Sequence, residues 1–141
     1  MGVFDPGINA LSIMTHILPA PVFLRAATLE FPENRDTPIA ADLEFTGGVT
    51  ADFDWRQTGP QTWGMIARTD GGTLELADGG SRLIVDGAEV DVGPNREYPA
   101  LYDRMAQLVR DGASDVDVAP MVHVADALTL GRRVTVEAFD W

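Results

Sequence analysis

The sequence contains neither cysteine nor lysine. Without cysteine the chain cannot form a disulfide, a thiolate nucleophile or a thiolate metal site, and this fits a reducing, cytoplasmic compartment. All ten basic residues are arginines, so these 141 residues cannot supply a lysine base. A reaction that needs such a base would have to take it from another stretch of protein.

Positive charge is scarce, since 10 basic residues stand against 22 acidic ones and the net charge is −12. Nucleic acids and anionic membrane surfaces bind basic footprints, so neither is expected as a partner. Long apolar runs are also missing, because the stretch Ile8–Leu24 is interrupted at Asn9, His16, Pro19 and Pro21. The sequence therefore predicts neither a signal peptide nor a membrane span.

The length of 141 residues and the hydrophobic content of 45% predict one globular domain, residues 1–141, with a substantial core. The first predicted helix covers residues 5–18 and is apolar nearly all round, so it is expected to be buried. Its start is predicted from Asp5 at the N-cap and Pro6 at the first helical position, and Pro19 is expected to end it.

Residues 22–92 show an alternating apolar pattern, which is rich in β-branched and aromatic residues. Asp-Gly and Gly-Gly steps interrupt this pattern and predict successive hairpins. The expected strands cover residues 22–31, 38–46, 49–57, 61–69, 73–77, 81–85 and 88–92.

A helical period returns in the last third of the chain, over residues 98–109 and again over 122–130. Gly112 and Gly131 are expected to end these two helices. A last strand, 134–139, is predicted to return to the sheet. Strands flanked by helices predict an α+β fold, and the absence of alternating strand–helix units and of Gly-x-Gly-x-x-Gly argues against a nucleotide-binding sheet.

The first helix opens with the five residues Asp5-Pro6-Gly7-Ile8-Asn9. Together with the segments Phe53–Trp63, Glu97–Tyr102 and Ser114–Ala127, they resemble the Gfo/Idh/MocA family of nicotinamide-dependent oxidoreductases. Within that family the resemblance is to aldose 1-dehydrogenases, such as those acting on galactose and arabinose. The family motif has the form Asp-x-Gly-x-His, and Asn9 takes its last position here.

This resemblance implies a C-terminal domain with a large, mostly antiparallel sheet, helices on one face and the other face open for subunit association. It implies an NAD(P)-dependent dehydrogenase that oxidises an aldose at C1 to the lactone. An N-terminal Rossmann domain, absent from this chain, would bind NAD or NADP. The isolated chain is then expected to bind no cofactor, to be inactive, and to form a homodimer or higher homo-oligomer through its sheet.

Oxidation at C1 requires a base within hydrogen-bonding reach of the sugar hydroxyl. Asn9 cannot titrate, but its amide can hold a hydroxyl group. The resemblance implies that a lysine of the missing domain acts together with Asp5. The predicted site therefore consists of Asp5 as the catalytic residue and of Asn9 and Trp63 as sugar-binding residues, with no cofactor-binding residue and no metal ligand in this chain.

Each of these assignments has a structural alternative. Asp5 could simply cap its own helix, Asn9 could bond to the backbone, and Trp63 could belong to the core or an interface. His16 and His123 stand alone on apolar helices without a ligand-spaced partner, so neither is expected to bind metal. The alternative for the whole chain is a non-catalytic, β-rich module for binding or association.

Overall fold

A computed structural model describes residues 2–60 and 63–140. Three helices, eight strands and two short 3-10 turns form in these ranges. In chain order they are α1 (Phe4–Ile17), β1 (Leu24–Pro32), β2 (Ala40–Phe45), a turn (Thr46–Gly48), β3 (Thr50–Asp54), β4 (Met65–Thr69), β5 (Gly72–Ala77), a turn (Asp78–Gly80), β6 (Arg82–Val85), β7 (Ala88–Val90), α2 (Glu97–Asp111), α3 (Ala119–Leu130) and β8 (Arg132–Val136).

The chain divides into two compact units. The first comprises the described residues within Met1–Thr58 and Asp117–Trp141, and the second those within Gly59–Val116. The first unit is thus built from the two ends of the sequence, and the second is one continuous segment. Each unit has its own four-stranded sheet.

The sheet of the first unit has the strand order β3-β2-β1-β8. β1 pairs with β2, and β2 with β3, in antiparallel register, with Leu29 opposite Ala41 and Leu43 opposite Ala51. β8 pairs with β1 in parallel register, with Thr28 opposite Arg132. The prediction that the last strand returns to the sheet is therefore confirmed.

Helices α1 and α3 pack together, and α3 lies against β1. The hydrophobic core lies between these helices and the sheet, where alternate strand residues point inward. Its buried apolar side chains are Phe4, Leu11, Met14, Ala27, Leu29, Phe31, Ala41, Leu43, Phe45, Val124 and Ala127. Alternation leaves the other sheet face with carboxylates, namely Glu30, Asp42, Glu44, Asp52 and Asp54.

The second unit is a meander of antiparallel strands in the order β4-β5-β6-β7, followed by α2. One face of this sheet is apolar along all four strands, because residues that pair in antiparallel register share a face. The side chains on this face are Met65, Ala67, Leu74, Leu76, Leu83, Val85, Ala88 and Val90. None of the residues described in the second unit is fully buried.

Helix α2 ends at Gly112, which adopts a left-handed conformation with φ 59°. Its N–H bonds to the carbonyls of Leu108 and Val109, as predicted for a glycine C-cap. The helix carries exposed apolar side chains at helical spacing, namely Tyr98, Leu101, Tyr102, Met105 and Val109. Such an apolar stripe is typical of a helix face that packs against other apolar surface.

The predicted α+β class is confirmed, and the sheets are mostly antiparallel. The strands divide between two four-stranded sheets instead of running through one. Pairing with β2 ends at Asp54, whose carboxylate accepts the N–H of Arg56, and the next described strand begins only at Met65. Residues 61 and 62 of the predicted strand 61–69 lie outside the described residues. In the described ranges, every helix is too short or too polar to cross a membrane.

Candidate functional site

The N-terminus of α1 differs from the prediction in one respect. Val3, not Asp5, takes the N-cap position, and no side chain caps the helix. Gly2 has φ 63° and lies so close to Pro38 that a Cβ would collide with the Pro38 carbonyl oxygen. The N–H of Val3 donates to that carbonyl at 2.8 Å, so the neighbouring loop fixes the helix start and Asp5 lies in the first turn.

Gly7 and Phe4 set how α1 approaches the sheet. A Cβ on Gly7 would lie 3.4 Å from the ring of Phe53 in β3, and the Phe4 ring packs edge-on against the same ring at 6.1 Å between centroids. The buried face of α1 therefore includes Phe4 and Gly7. Asp5 and Asn9, one helical turn apart, point away from it.

Asp5 and Asn9 are both exposed. Among the described residues neither side chain has a hydrogen bond, and Asp5 has no ion pair. The capping role that the sequence allowed for Asp5 is absent in this structure. A carboxylate and an amide with unused hydrogen-bonding capacity thus stand side by side on one surface, and such a pair can bind a hydroxyl group.

Trp63 lies in the second unit, just before β4, and is 40% exposed as a whole. Its carbonyl oxygen accepts the N–H of Gly79 at 3.1 Å. One edge of its indole lies over Gly79 and Gly80 in the turn between β5 and β6. In the sequence these glycines appear only as hairpin signals, because nothing in the local pattern shows that a distant tryptophan contacts them.

Described residues of the first unit line two cavities. One, of about 190 Å³, is apolar and lies between α1 and α3, lined by Ile8, Met121, Val124, Ala125 and Leu128. The other, of about 290 Å³, is lined by Ile39, Arg56, Val136, Glu137, Ala138 and Phe139. Neither lining includes Asp5 or Asn9, so in this chain those two side chains stand on an open surface.

The cation beside the second cavity is held by carboxylates. Arg56 contacts Asp54 at 2.8 Å and Glu30 at 2.7 Å, and the bond to Arg56 lowers the pKa of Asp54 below its usual value. With two carboxylates on one guanidinium, this cavity does not suit an anion. On the same sheet face, Asp42 and Asp52 pair across neighbouring strands, and a hydrogen bond between them raises the pKa of Asp52.

The two histidines have different surroundings. His16 is exposed on α1, whereas His123 is 6% exposed and packs edge-on against Phe45 at 5.0 Å between ring centroids. Burial lowers the pKa of His123, and its Nδ1 has no hydrogen-bond partner. In the described part of the chain, no three residues of the ligand types His, Asp and Glu come together as a metal site.

Dinucleotides bind where a glycine-rich turn joins a strand to the N-terminus of a helix. The glycine pairs of the described chain lie instead in hairpins between antiparallel strands, at Gly47–Gly48, Gly71–Gly72 and Gly79–Gly80. These glycine pairs of the described residues therefore do not form a phosphate-binding turn of that kind.

The fold is shared with KijD10, a 3-ketoreductase from Actinomadura kijaniata, whose structure was determined with TDP-benzene and NADP. The TM-score is 0.75 over 96% of this chain and 48% of that protein, at 19% sequence identity. At this identity the likeness concerns the fold alone. No protein-family model matches the chain.

Two galactose dehydrogenases are much more similar to the chain. The crystal structure of D-galactose-1-dehydrogenase from Rhizobium etli matches 99% of the chain with a TM-score of 0.91 and 58% identity. Galactose 1-dehydrogenase from Pseudomonas fluorescens is 46% identical over 143 residues, or 99% of the chain. The chain covers 46% and 47% of these proteins, about half the length of the relatives it matches.

These findings show which class of protein the chain is similar to: it matches the C-terminal part of a Gfo/Idh/MocA-type oxidoreductase. Within this class it is a homologue of galactose 1-dehydrogenase. The resemblance inferred from the sequence is therefore confirmed.

Proposed function

We propose that the chain is the substrate-binding and oligomerisation half of an NAD(P)-dependent dehydrogenase that oxidises an aldose at C1 to the lactone. D-galactose is the first candidate substrate, because the two relatives matched over 99% of the chain are named for it. The observation that carries the proposal is the exposed pair Asp5 and Asn9 on α1, inside a fold that superposes on the R. etli enzyme with a TM-score of 0.91.

The chemistry assigned to this pair follows from its functional groups. Oxidation of a sugar hemiacetal removes a hydride from C1 and a proton from the C1 hydroxyl, and the proton needs a base within hydrogen-bonding reach. Asp5 offers a carboxylate that is not engaged elsewhere among the described residues, so it can accept that proton or orient a lysine from outside the chain. Asn9 offers both a donor and an acceptor and can hold a sugar hydroxyl, but it cannot titrate.

The hydride acceptor, NAD or NADP, is assigned to the half of the protein that precedes the matched region. The absence of a phosphate-binding glycine turn in the described residues supports this assignment of cofactor binding to the other half. We also retain Trp63 as a sugar-binding residue, because a pyranose presents an apolar C–H face that an exposed indole can stack on. A cytoplasmic location remains part of the proposal and rests on the lack of cysteine.

Oligomerisation is supported by the second unit. Its sheet has a continuous apolar face and its helix an apolar stripe, yet no described residue of this unit is fully buried. Apolar surface of this extent is typical of protein interfaces. The same observation favours the alternative, a non-catalytic association module, which would use this surface without any chemistry at Asp5.

A fusion experiment separates the two functions. The segment of R. etli D-galactose-1-dehydrogenase that precedes its matched region is joined to this chain, and reduction of NAD and NADP is measured with galactose, arabinose and glucose. We expect the fusion to reduce cofactor with at least one aldose, and the isolated chain to reduce none. A fusion that binds cofactor but oxidises no aldose would favour the association module.

A further inference from the structure

The turn beneath Trp63 consists of two glycines in conformations that favour glycine. Gly79 has φ 70° and Gly80 has φ 83°, both in the left-handed region. The turn is held from both ends of its sequence: the Asp78 carbonyl accepts the Ser81 hydroxyl at 2.8 Å, and the Asp78 carboxylate contacts Arg82 at 3.3 Å. Asp78 thus stabilises the turn through contacts that do not involve the indole of Trp63.

The turn also contacts the indole directly. A Cβ placed on Gly79 would lie 3.4 Å from Nε1 of Trp63, and one placed on Gly80 would lie 3.2 Å from Cη2. Cε2 and Cζ2 follow at 3.9 Å and 3.6 Å, so the contacts run along one continuous edge of the ring. With no side chain at either glycine, the backbone approaches this edge closely.

The Trp63 backbone is fixed as well. Its carbonyl accepts the Gly79 N–H at 3.1 Å, and a Cβ on the next residue, Gly64, would lie 3.1 Å from the Leu76 carbonyl oxygen in β5. Both the main chain and one ring edge are thus held by the β5–β6 hairpin, while Trp63 as a whole remains 40% exposed. A core tryptophan would be buried, whereas an exposed indole that is contacted along one edge can serve as a binding surface.

We propose that Gly79 and Gly80 are positioning residues for Trp63, holding its indole in the orientation in which the apolar face of a sugar stacks on it. This rests on the proposed function of Trp63 as a sugar-binding residue. A ring held before the sugar arrives loses less conformational freedom on binding, so the turn contributes to affinity without touching the ligand.

The chain supplies a matched control for the test. Gly87 has φ 81°, nearly that of Gly80, but a Cβ at Gly87 would meet no atom within 4 Å. Gly80→Ala and Gly87→Ala therefore impose similar backbone strain, and only Gly80→Ala pushes on the indole. Gly79→Ala is intermediate, because its Cβ would sit at ordinary contact distance. The expected order of effect is Gly80→Ala, then Gly79→Ala, then Gly87→Ala.

The first measurement is made on the chain itself. Near-ultraviolet circular dichroism of each variant is compared with the Trp63→Phe difference spectrum, which isolates the signal of this indole. We expect Gly80→Ala to change that signal and Gly87→Ala to leave it unchanged at matched folded fraction. An unchanged Trp63 signal in Gly80→Ala would overturn the proposal, and this holds whether or not the chain takes part in sugar oxidation.

The second measurement uses the fusion with the R. etli segment. Loss of one aromatic contact predicts a rise in the KM for galactose of roughly two- to tenfold in Trp63→Ala. A similar rise in Gly80→Ala, with kcat unchanged, supports the positioning role. If Trp63→Ala raises KM and Gly80→Ala does not, the glycines do not position the ring. If Trp63→Ala leaves KM unchanged, Trp63 is no sugar residue and the inference fails with it.

Discussion

At the scale of single residues, the most informative feature is that the side chains of Asp5 and Asn9 make no hydrogen bond among the described residues. Most aspartates at helix starts cap their own helix, and the sequence allowed that role for Asp5. In the structure the loop at Pro38 fixes the helix start through Val3, so the carboxylate is not needed there. The Asp5 carboxylate is therefore available for a ligand instead of the helix terminus.

This placement predicts different kinetic effects for the two residues. In the fusion enzyme, Asp5→Ala should lower kcat by about a hundredfold or more, because it removes a group assigned to proton transfer. Asn9→Ala should act mainly on KM for the sugar. Ser12→Ala, at an exposed position of the same helix, is the control and should change neither. Equally small effects of all three substitutions would contradict the catalytic role of Asp5 and the sugar-binding role of Asn9.

Asn9→His restores the residue that is usual in the family motif. An imidazole can titrate near neutral pH and an amide cannot. We therefore expect this variant to remain active and to show an altered pH–rate profile, measured as kcat/KM between about pH 5 and 9. An unaltered profile would mean that the side chain at position 9 does not contact the reacting C1 hydroxyl of the sugar.

A second prediction at this scale concerns His123 and stability. Burial lowers its pKa below the ordinary value of 6.5, although the nearby Asp126 acts in the opposite direction. Below pH 6.5 the unfolded chain therefore binds a proton more readily than the folded chain does. Stability should fall as the pH drops from 6.5 towards the lower folded-state pKa, and this contribution should then level off.

The check is thermal unfolding of the wild type, His123→Leu and His16→Gln from about pH 5 to 8. His123→Leu should flatten the loss of Tm below pH 6.5, because the buried titrating group is gone. His16→Gln, at an exposed position, should retain the wild-type slope. An identical slope in all three proteins would assign the pH dependence to the carboxylates instead.

At the scale of elements, α1 depends on how closely it approaches β3. Gly7→Ala should be neutral or stabilising by up to about 1 kcal/mol, because alanine favours the helix and its Cβ fits at 3.4 Å from Phe53. Gly7→Leu should overpack the site and cost about 1–3 kcal/mol. Ser12→Leu, at an exposed position of α1, controls for the leucine itself. Chemical denaturation measures all three, and equal stability of both leucine variants would refute the close approach.

Local pattern was enough to predict most elements. The helix predicted over 5–18 spans Phe4–Ile17, and the two later helices end at the expected Gly112 and Gly131, since proline and glycine signals act within a few residues. Pattern could not show that the strands separate into two sheets, because that depends on which strands pair. For the same reason, the contact between Trp63 and a turn sixteen residues later was invisible in the sequence.

At the scale of the whole molecule, the distribution of apolar surface differs from the expectation. The family resemblance implied one large sheet with an open face that serves subunit association. The open face of the first unit carries carboxylates instead, and the apolar face belongs to the second unit. Any self-association through a sheet is therefore expected to use the second unit.

We expect a dimer at tens of micromolar that strengthens from low to moderate salt, because screening reduces the repulsion due to the net charge of −12. Val85→Glu, on the apolar face and 39% exposed, should weaken it. Ile66→Glu, 50% exposed on the opposite face, is the matched control and should not. Sedimentation equilibrium measures this association. A monomer at both salt concentrations would contradict self-association and favour binding of another protein at the apolar face.

The way the first unit closes has a consequence for biosynthesis. Its sheet pairs Thr28 with Arg132, and the side chains of these residues join positions 104 apart in sequence. The second unit, by contrast, is one continuous segment whose strands pair with their neighbours along the chain. Local pairings form faster than distant ones. During translation the second unit can thus fold before β8 has been made, whereas Thr28 in β1 gains its partner Arg132 only after 104 further residues have been added.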